Sequence, residues 1–211
     1  RISSVSQSLI LLGLNVVKGM LLGVSVFEAM QSAMVGLWEH SLGTAIAARI
    51  IAQKKGLSEP EEVSVAALLH DIGKVVLSLK FPEEYAAVVK EAESRESFIF
   101  EAEKNQFSVN HAEAGSWIAR KWNFPKNLIE VIEYHHKPHL SKNVPVQSAI
   151  IHVSDIIIKS VGFGFSGDSF VPPLNPQAWQ MLGLSEADMK DVFSELEDSL
   201  SDAEDFLVMD E

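Results

Sequence analysis

Apolar residues recur three or four positions apart along almost the whole chain, and no stretch alternates steadily between apolar and polar residues. The spacing is typical of helices that bury one face, so the sequence predicts an all-α fold, a single-domain helical bundle over residues 1–211. Predicted helices run over about residues 28–55, 60–74, 82–96, 98–106, 111–122, 125–136, 145–160 and 185–207, the last of them acidic. Residues 162–183 are rich in turn-forming residues and hold only a short helix at 177–182.

Local residues indicate where some of these helices begin and end. Ser58 and Glu61 form a capping-box pattern, which predicts a helix start near residue 60. Gly56 is expected to end the first helix, because glycine readily adopts the left-handed conformation found beyond helix ends. Gly36 is expected to split that same helix.

The composition excludes several kinds of function. Seventeen Lys and Arg against 29 Asp and Glu give a formal net charge of −12, which opposes binding to nucleic acid or to an anionic membrane surface. The chain has no cysteine, so a bound metal must use histidine, carboxylate or water as its ligands. We therefore expect no nucleic-acid partner, and we expect a cytoplasmic location.

The apolar stretch at residues 9–27 is the one candidate for a membrane segment. Asn15, Lys18 and three glycines interrupt it, and no uninterrupted run reaches the roughly 18 apolar residues that a membrane span requires. The stretch also lacks the features of a secretory signal. We expect a buried helix pair here and no membrane span. The start at Arg1 rather than Met suggests a fragment or a processed product.

Several polar residues occupy positions where the helical pattern expects apolar ones. The doublet His70-Asp71 continues the apolar face of one predicted helix, and the doublet His135-His136 ends the apolar stripe of another. Asp155 lies within an apolar stripe, where a carboxylate is costly unless a cation or metal compensates it. A single histidine on such a face is more often a hydrogen-bonded core residue than a ligand. The combination instead suggests a site for two metal ions.

These residues belong to motifs that follow one another in a characteristic order. The motifs are LWEHSLGTA with His40, HDIGK with His70, Asp71 and Lys74, NHAEAG with His111, YHH with His135 and His136, and HVSD with Asp155. This order resembles the HD superfamily of metal-dependent phosphohydrolases. The surrounding sequence, from RISSVSQSLILLGLNVV to PLNPQAWQMLGLS, resembles the HDOD subgroup, the HD-related output domains of bacterial signalling proteins.

The resemblance implies a role for each matching residue. The core metal ligands would be His40, His70, Asp71 and Asp155, and the ligands of a second metal would be His111, His135 and His136. Asp71 is implied to bridge two divalent ions, and Lys74 to face a substrate phosphate, so both are candidate catalytic residues. The alternative for Lys74 is a solvated lysine at a helix end. Imidazoles and carboxylates favour iron or manganese, with nickel or zinc as alternatives.

Three functions remain open. Retention of all seven ligand positions favours a metal-dependent phosphohydrolase or phosphodiesterase acting on a nucleotide-like phosphate. A second hypothesis is a non-catalytic signalling output or protein-interaction module. Its metal site would be structural or sensory, and its partner would be a signalling protein or a fused domain. A third is a helical scaffold without metal, whose histidines form hydrogen bonds in the core.

The residues after the histidine doublet argue against one particular substrate. Relatives that hydrolyse cyclic-di-GMP continue the doublet with a GYP segment, whereas this chain continues with Lys137, Pro138, His139 and Leu140. We therefore do not expect hydrolysis of cyclic-di-GMP. The remaining histidines, His139 and His152, are expected to lie at the surface or to cap a helix. For His152, which precedes Asp155 by one helical turn, the alternative is a supporting contact behind the proposed metal ligands.

Overall fold

The computed structural model describes residues 28–94 and 97–208, with side chains up to residue 205. Every regular element in these ranges is helical, which confirms the all-α fold. A helical segment over residues 28–33 is followed by α1 (Leu37–Lys54), α2 (Pro60–Leu68), α3 (Ile72–Lys80), α4 (Pro82–Ser94), α5 (Ile99–Phe107), α6 (His111–Lys121), α7 (Lys126–Tyr134), a 3-10 turn (Pro138–Leu140), α8 (Pro145–Val161), α9 (Pro176–Leu182) and α10 (Glu186–Val208).

Two predictions about the chain's organisation extend beyond these ranges. The helix pair expected at residues 9–27 lies outside the described residues, and the single domain over residues 1–211 stays a prediction. Among the helices that are described, none has both the length and the apolar character needed to cross a bilayer.

Helices α1 and α8 form the centre of the bundle. Helix α1 packs against α2, α8 and α10, and α8 also packs against α9. Their largest shared core buries Ile51, Ile150, Ile151 and Ile158 completely. On the other side, α3 packs against α6, and α6 against α7. The centre of the molecule therefore lies where these two groups of helices meet.

The predicted helix ends are partly confirmed. Gly36 and Gly56 both adopt positive φ, +88° and +73°, at the expected split and stop. The capping box predicted for Ser58 and Glu61 is wrong, because α2 has Glu59 at its N-cap position and no side-chain cap. Pro60 explains the difference, since its fixed φ and missing N–H suit the first helical position.

The prediction of one continuous helix through HDIGK is also wrong. Helix α2 ends at Leu68 and α3 begins at Ile72, so His70 and Asp71 lie in the turn between them. His135 and His136 likewise follow the end of α7 at Tyr134. Neighbouring side chains within a helix diverge by about 100°. A turn allows both members of a doublet to point toward the same centre.

Candidate metal centre

The seven predicted ligands come together in the interior from five parts of the fold. They are supplied by α1 (His40), the α2–α3 turn (His70 and Asp71), the first residue of α6 (His111), the residues after α7 (His135 and His136) and the middle of α8 (Asp155). Their nitrogen and carboxylate oxygen atoms form three overlapping groups, each with all atoms within 4.8 Å of one another. The groups are His40–His70–Asp155, His70–Asp71–His135 and His111–His135–His136.

Asp71 lies between two sets of histidines. Its Oδ2 is 3.3 Å from Nε2 of His70 and 4.0 Å from Nε2 of His40. Its Oδ1 is 3.3 Å from Nε2 of His111 and 3.9 Å from Nε2 of His135. Each oxygen of this one carboxylate therefore faces a different pair of imidazoles.

Backbone carbonyls orient two of the imidazoles. Nδ1 of His70 lies 2.5 Å from the carbonyl oxygen of Ala67, and Nδ1 of His135 lies 2.8 Å from that of Ile132. A carbonyl can only accept, so each Nδ1 carries a proton and Nε2 is the nitrogen that faces the centre. In the neutral ring this arrangement leaves the lone pair on Nε2, where a metal ion could bind.

Glu103, which the sequence reasoning missed, orients a third imidazole. Its Oε2 accepts hydrogen bonds from Nδ1 of His111 at 2.6 Å and from the His111 backbone N–H at 2.7 Å. Its Oε1 accepts a hydrogen bond from the Tyr85 hydroxyl at 2.8 Å. Glu103 is completely buried on the same helix as the buried Ile99 and Ala102. A carboxylate in an apolar stripe, the signal used for Asp155, could have found it.

One carboxylate oxygen of Asp155 pairs with a buried lysine, and the other faces a histidine of the cluster. Its Oδ1 is 3.0 Å from Nε2 of His40, and its Oδ2 is 3.0 Å from Nζ of Lys159. Lys159 is itself 5% exposed and also pairs with Asp168 at 3.0 Å. Asp168 in turn accepts a hydrogen bond from the Ile99 backbone N–H at the start of α5. The position of Lys159, four residues after Asp155, was the available sequence signal for this ion pair.

Lys74 is buried beside the centre, with 1% of its surface exposed. Its Nζ lies 2.6 Å from Oδ2 of Asp71. The alternative of a solvated helix-end lysine is therefore wrong. Contact of Lys74 with a phosphate stays a prediction.

Comparison with known proteins identifies the family. A family model described as HDOD domain matches residues 1–138, more than half of the chain. The chain belongs to the HDOD domain family. An uncharacterized protein of Treponema pallidum (strain Nichols) is 26% identical over 144 residues, which are 66% of this chain and 28% of that protein. The HDOD chain thus spans little more than a quarter of the curated relative it matches.

Two solved structures share the fold of this HDOD chain. The crystal structure of an HDOD domain protein of unknown function from Geobacter sulfurreducens has a TM-score of 0.74 and 27% identity, covering 95% of this chain and 72% of its own. A crystal structure described as "Putative phosphohydrolase" from Shewanella amazonensis SB2B has a TM-score of 0.64 and 17% identity, covering 96% and 73% respectively. The second likeness shows the fold alone.

Both central carboxylates of this HDOD chain are ionised. Burial alone would raise the pKa of Asp71, but His70 and Lys74 hold that pKa well below its usual range. Burial would also raise the pKa of Asp155. The positive charge of Lys159 outweighs burial and holds the pKa of Asp155 well below its usual range. Ionised carboxylates are the form that binds metal.

Three of the proposed histidine ligands differ in the direction in which the structure shifts their pKa. Burial lowers the pKa of His40 and places the pKa of His135 well below its usual range, so both imidazoles are neutral at pH 7. Burial also acts against the charged form of His70, but Asp71 and Asp155 outweigh it and raise its pKa to about 9. His70 must therefore release a proton to act as a ligand.

Buried atoms without hydrogen bonds test whether a metal fits this HDOD centre. The described part of the chain has ten such atoms, and five of them are Nε2 of His40, His70 and His135 and Oδ1 of Asp71 and Asp155. A buried polar atom left without a partner costs about 1–3 kcal/mol. These five belong to the cluster and are nitrogen and oxygen donors that suit divalent transition metals. The other five are the hydroxyls of Ser41, Ser148, Ser154 and Ser166 and Oε2 of Glu39. The donor set therefore fits metal ions.

His152 differs from its prediction. It is 5% exposed, so the expected surface position is wrong, and its contacts agree with the alternative of a supporting role behind the proposed ligands. Its Nδ1 donates to the carbonyl oxygen of His135 at 2.9 Å, and its Nε2 accepts from the Asn175 backbone N–H at 3.0 Å. Burial lowers its pKa, in agreement with a neutral ring. His152 thus supports the backbone of the histidine doublet, whereas His139 is exposed as expected.

Proposed function

We propose that this HDOD domain is a metal-dependent phosphohydrolase that binds two divalent transition metal ions and acts on a nucleotide-like phosphate. The observation that carries the proposal is the position of Asp71, whose two oxygens face different histidine pairs. A carboxylate placed in this way can serve two neighbouring ions. Iron or manganese suits the mixed imidazole and carboxylate donors, with nickel or zinc as alternatives.

The proposed ligands form two sets that share Asp71. The first set would be His40, His70, Asp71 and Asp155, and the second would be Asp71, His111, His135 and His136. Ions held by these ligands would supply Lewis-acid chemistry, which stabilises charge on phosphoryl oxygens and lowers the pKa of water. The chain's own groups hold this arrangement in place, since Lys74 fixes one oxygen of Asp71 and Glu103 fixes the ring of His111.

Lys74 also contributes charge. Its ammonium group is buried next to Asp71, and a buried charge acts more strongly than one in water because the surroundings screen it less. A phosphate that reaches Asp71 would meet this cation, and an ammonium donates readily to phosphate oxygens. We therefore include Lys74 with Asp71 among the proposed catalytic residues.

Metal content and turnover test the proposal together. The protein is loaded with manganese or iron, its metal is measured by elemental analysis, and hydrolysis of bis(4-nitrophenyl) phosphate and a set of nucleotides is followed. We expect about two equivalents of metal and turnover that falls to background in Asp71→Asn. Lys190→Met, on the exposed face of α10, is the control. Two bound metal ions without turnover of any compound would contradict the proposal.

A non-catalytic signalling output module is the second candidate function. Membership of the HDOD family and the missing GYP segment after His136 both favour it. In that case the metal site is structural or sensory, and the partner is a signalling protein or a fused domain. Bound metal that stabilises the fold without turnover would support this second candidate. The absence of a nucleic-acid partner and the cytoplasmic location stay predictions.

A further inference from the structure

Asp168 lies in the connection between α8 and α9 and belongs to neither set of proposed ligands. Its side chain is only 2% exposed. One carboxylate oxygen, Oδ2, lies 3.0 Å from Nζ of Lys159. The other, Oδ1, accepts a hydrogen bond from the Ile99 backbone N–H at 2.7 Å. The two oxygens of this buried carboxylate therefore contact two different parts of the fold.

The Lys159 contact leads to the first ligand set. Nζ of Lys159 also lies 3.0 Å from Oδ2 of Asp155, whose Oδ1 faces Nε2 of His40 at 3.0 Å. Two carboxylates thus share one ammonium group, which leaves an excess of one negative charge beside the first set. Without the charge of Asp168 this excess would vanish, and charges in a buried environment are weakly screened. Asp168 is therefore placed to strengthen cation binding at the first set.

The Ile99 contact stabilises the start of α5. Phe98 is the N-cap residue of this helix, and its side chain has no atom that can accept a hydrogen bond. The first N–H groups of a helix have no partner within the helix, and an oxygen that accepts from one of them stabilises the helix start. Asp168 supplies such an oxygen from 69 positions away. Its negative charge also suits the positive end of the helix dipole.

Helix α5 in turn holds two imidazoles of the second ligand set. Glu103, one helical turn after Ile99, accepts hydrogen bonds from Nδ1 and the backbone N–H of His111 at 2.6 and 2.7 Å. The ring of Phe100 stacks on the ring of His136, with centroids 4.8 Å apart. A displacement of the first turn of α5 would therefore disturb both imidazoles.

Close packing holds Asp168 between the two ligand sets. A Cβ added to Gly164 would lie 2.3 Å from the backbone nitrogen of His40. A Cβ added to Gly167 would lie 2.3 Å from Cδ1 of Ile99. The segment 164–168 thus lies directly against α1 at one end and against α5 at the other.

We propose that Asp168 is a positioning residue for both ligand sets, whose charge strengthens the first set through Lys159 and whose hydrogen bond to Ile99 orients the second set through α5. The inference rests on the proposed function, because it concerns the binding of the same two metal ions. The two contacts can be separated by experiment. An amide in place of the carboxylate removes the charge but keeps an oxygen that accepts from Ile99.

Manganese affinity of the full chain, measured by competition with a chelator, tests the two contacts separately. His136→Gln leaves only the first set complete and His40→Gln leaves only the second complete, so each background reports one set. In these backgrounds, Asp168→Asn should weaken binding about tenfold at the first set and leave the second within about twofold. Asp168→Ala loses both contacts, so it should weaken the first set about tenfold and the second about fivefold or more.

Two further variants separate these effects from general ones. Gly167→Ala retains every charge but crowds the Ile99 side chain, so it should weaken the second set and leave the first within about twofold. Asp191→Asn is the matched control, because it removes the charge of a largely exposed aspartate that pairs with Lys54. It should leave the affinity of both sets unchanged.

The metal-free protein gives a readout that does not depend on bound metal. In the presence of EDTA, the proton on Nδ1 of His111, which is bonded to Glu103, is followed by NMR and assigned by its absence in His111→Gln. We expect Asp168→Ala to shift or broaden this signal and Asp168→Asn to leave it unchanged. A purely structural role of Asp168 would not produce this difference together with the opposite pattern at the first set.

Three results would overturn the role of Asp168. They are wild-type affinity of the first set in Asp168→Asn, equal affinity of the second set in Asp168→Ala and Asp168→Asn, and an unchanged His111 signal in Asp168→Ala. Turnover of bis(4-nitrophenyl) phosphate together with any of these results would refute the role of Asp168 and leave the proposed function intact. The expected affinities without turnover of any phosphate would support the role of Asp168 and contradict the proposed hydrolysis.

Discussion

Lys159 neutralises two buried carboxylates, Asp155 and Asp168, each 3.0 Å from its Nζ. Lys159→Met retains most of the side-chain volume but leaves both carboxylates without their cation. Removing one partner of a buried ion pair costs about 3–5 kcal/mol. We expect a loss of this size in the free energy of unfolding of the metal-free protein, measured by urea titration in the presence of EDTA.

Lys190 provides the control for that measurement. It pairs with Glu186 on the surface, and the two side chains are 75% and 86% exposed. Exposed pairs contribute little to stability, so Lys190→Met should change the free energy of unfolding by less than about 0.5 kcal/mol. If Lys159→Met changed the free energy of unfolding by as little as Lys190→Met, the burial of Asp155 and Asp168 would not depend on the charge of Lys159.

Glu103 is expected to control metal affinity through His111. Groups that hydrogen-bond the far nitrogen of a metal-binding histidine typically change the affinity by about 10- to 100-fold. Glu103→Gln removes the negative charge but preserves the shape, so we expect at least about a tenfold loss of manganese affinity at the weaker of two sites, measured by competition with a chelator. Tyr85→Phe removes the other hydrogen bond of Glu103 and should leave the affinity within about twofold. Equal losses in the two variants would contradict this role.

The identities of the proposed ligands could be predicted, but those of their supporting residues could not. His70, His135 and Asp155 interrupt apolar stripes, and this is visible in the sequence. Glu103 and Asp168 act on residues 8 and 69 positions away, as the His111 and Ile99 contacts show. Such pairings depend on how the helices pack, which the spacing of apolar residues does not specify.

Between helices, the contact of α3 with α6 places Asp71 against His111. A Cβ added to Gly73 would lie 1.9 Å from the His111 carbonyl oxygen and 2.7 Å from the Gly115 nitrogen. Both are backbone atoms, so relief requires the two helices to separate. Gly73→Ala should therefore lower the free energy of unfolding by about 3 kcal/mol or more and reduce the bound metal, measured by urea titration and elemental analysis.

Gly162→Ala separates this clash from a general cost of replacing glycine. Gly162 has φ +75° at the end of α8, and an added Cβ would meet no atom within 4 Å. We expect a cost of about 1 kcal/mol from backbone strain and no change in metal content. A comparable effect of both substitutions would indicate that the α3–α6 distance does not control the centre.

Helix boundaries at the two doublets show what periodicity cannot predict. The segment from Val63 to Lys74 keeps helical spacing without an internal proline, so the sequence predicts no break. The structure nevertheless turns at residues 69–71, where Nδ1 and the backbone N–H of His70 both reach the Ala67 carbonyl. This side-chain bond competes with the continuing helix, and such local competition commonly ends helices.

For the molecule as a whole, the order of the sequence motifs indicated which distant residues meet in the fold, whereas the spacing of apolar residues did not. His40 and Asp155 are 115 positions apart in sequence, yet their facing atoms are 3.0 Å apart in the fold. Helical spacing indicates which face of each helix is buried, but not which buried faces meet. The resemblance to the HDOD family supplied that information, and the family assignment is confirmed.

The acid stability of the whole molecule should depend on Glu130. Its carboxylate accepts hydrogen bonds from the Ser141 hydroxyl at 2.7 Å, from the Asn143 backbone N–H at 2.7 Å and from the Lys142 backbone N–H. These bonds hold the segment between the histidine doublet and α8. Burial would raise the pKa of Glu130, but the hydrogen bonds from Asn143, Ser141 and Lys142 outweigh it and lower the pKa to about 2.

The sign of the pH dependence follows from that lowered pKa. An unfolded glutamate has a pKa of about 4.3, so the stabilisation by Glu130 is present above this pH and disappears as the pH falls toward about 2. Glu130 is partly exposed, so water screens these interactions, and we expect Glu130→Gln to be less stable than the wild-type protein by about 1 kcal/mol at pH 7 and by less than half of that at pH 3. Urea titrations of both proteins at pH 7, 4 and 3 measure this difference, in which the titrations of all shared groups cancel. A difference that stays constant from pH 7 to pH 3 would show that the Glu130 charge does not hold the segment.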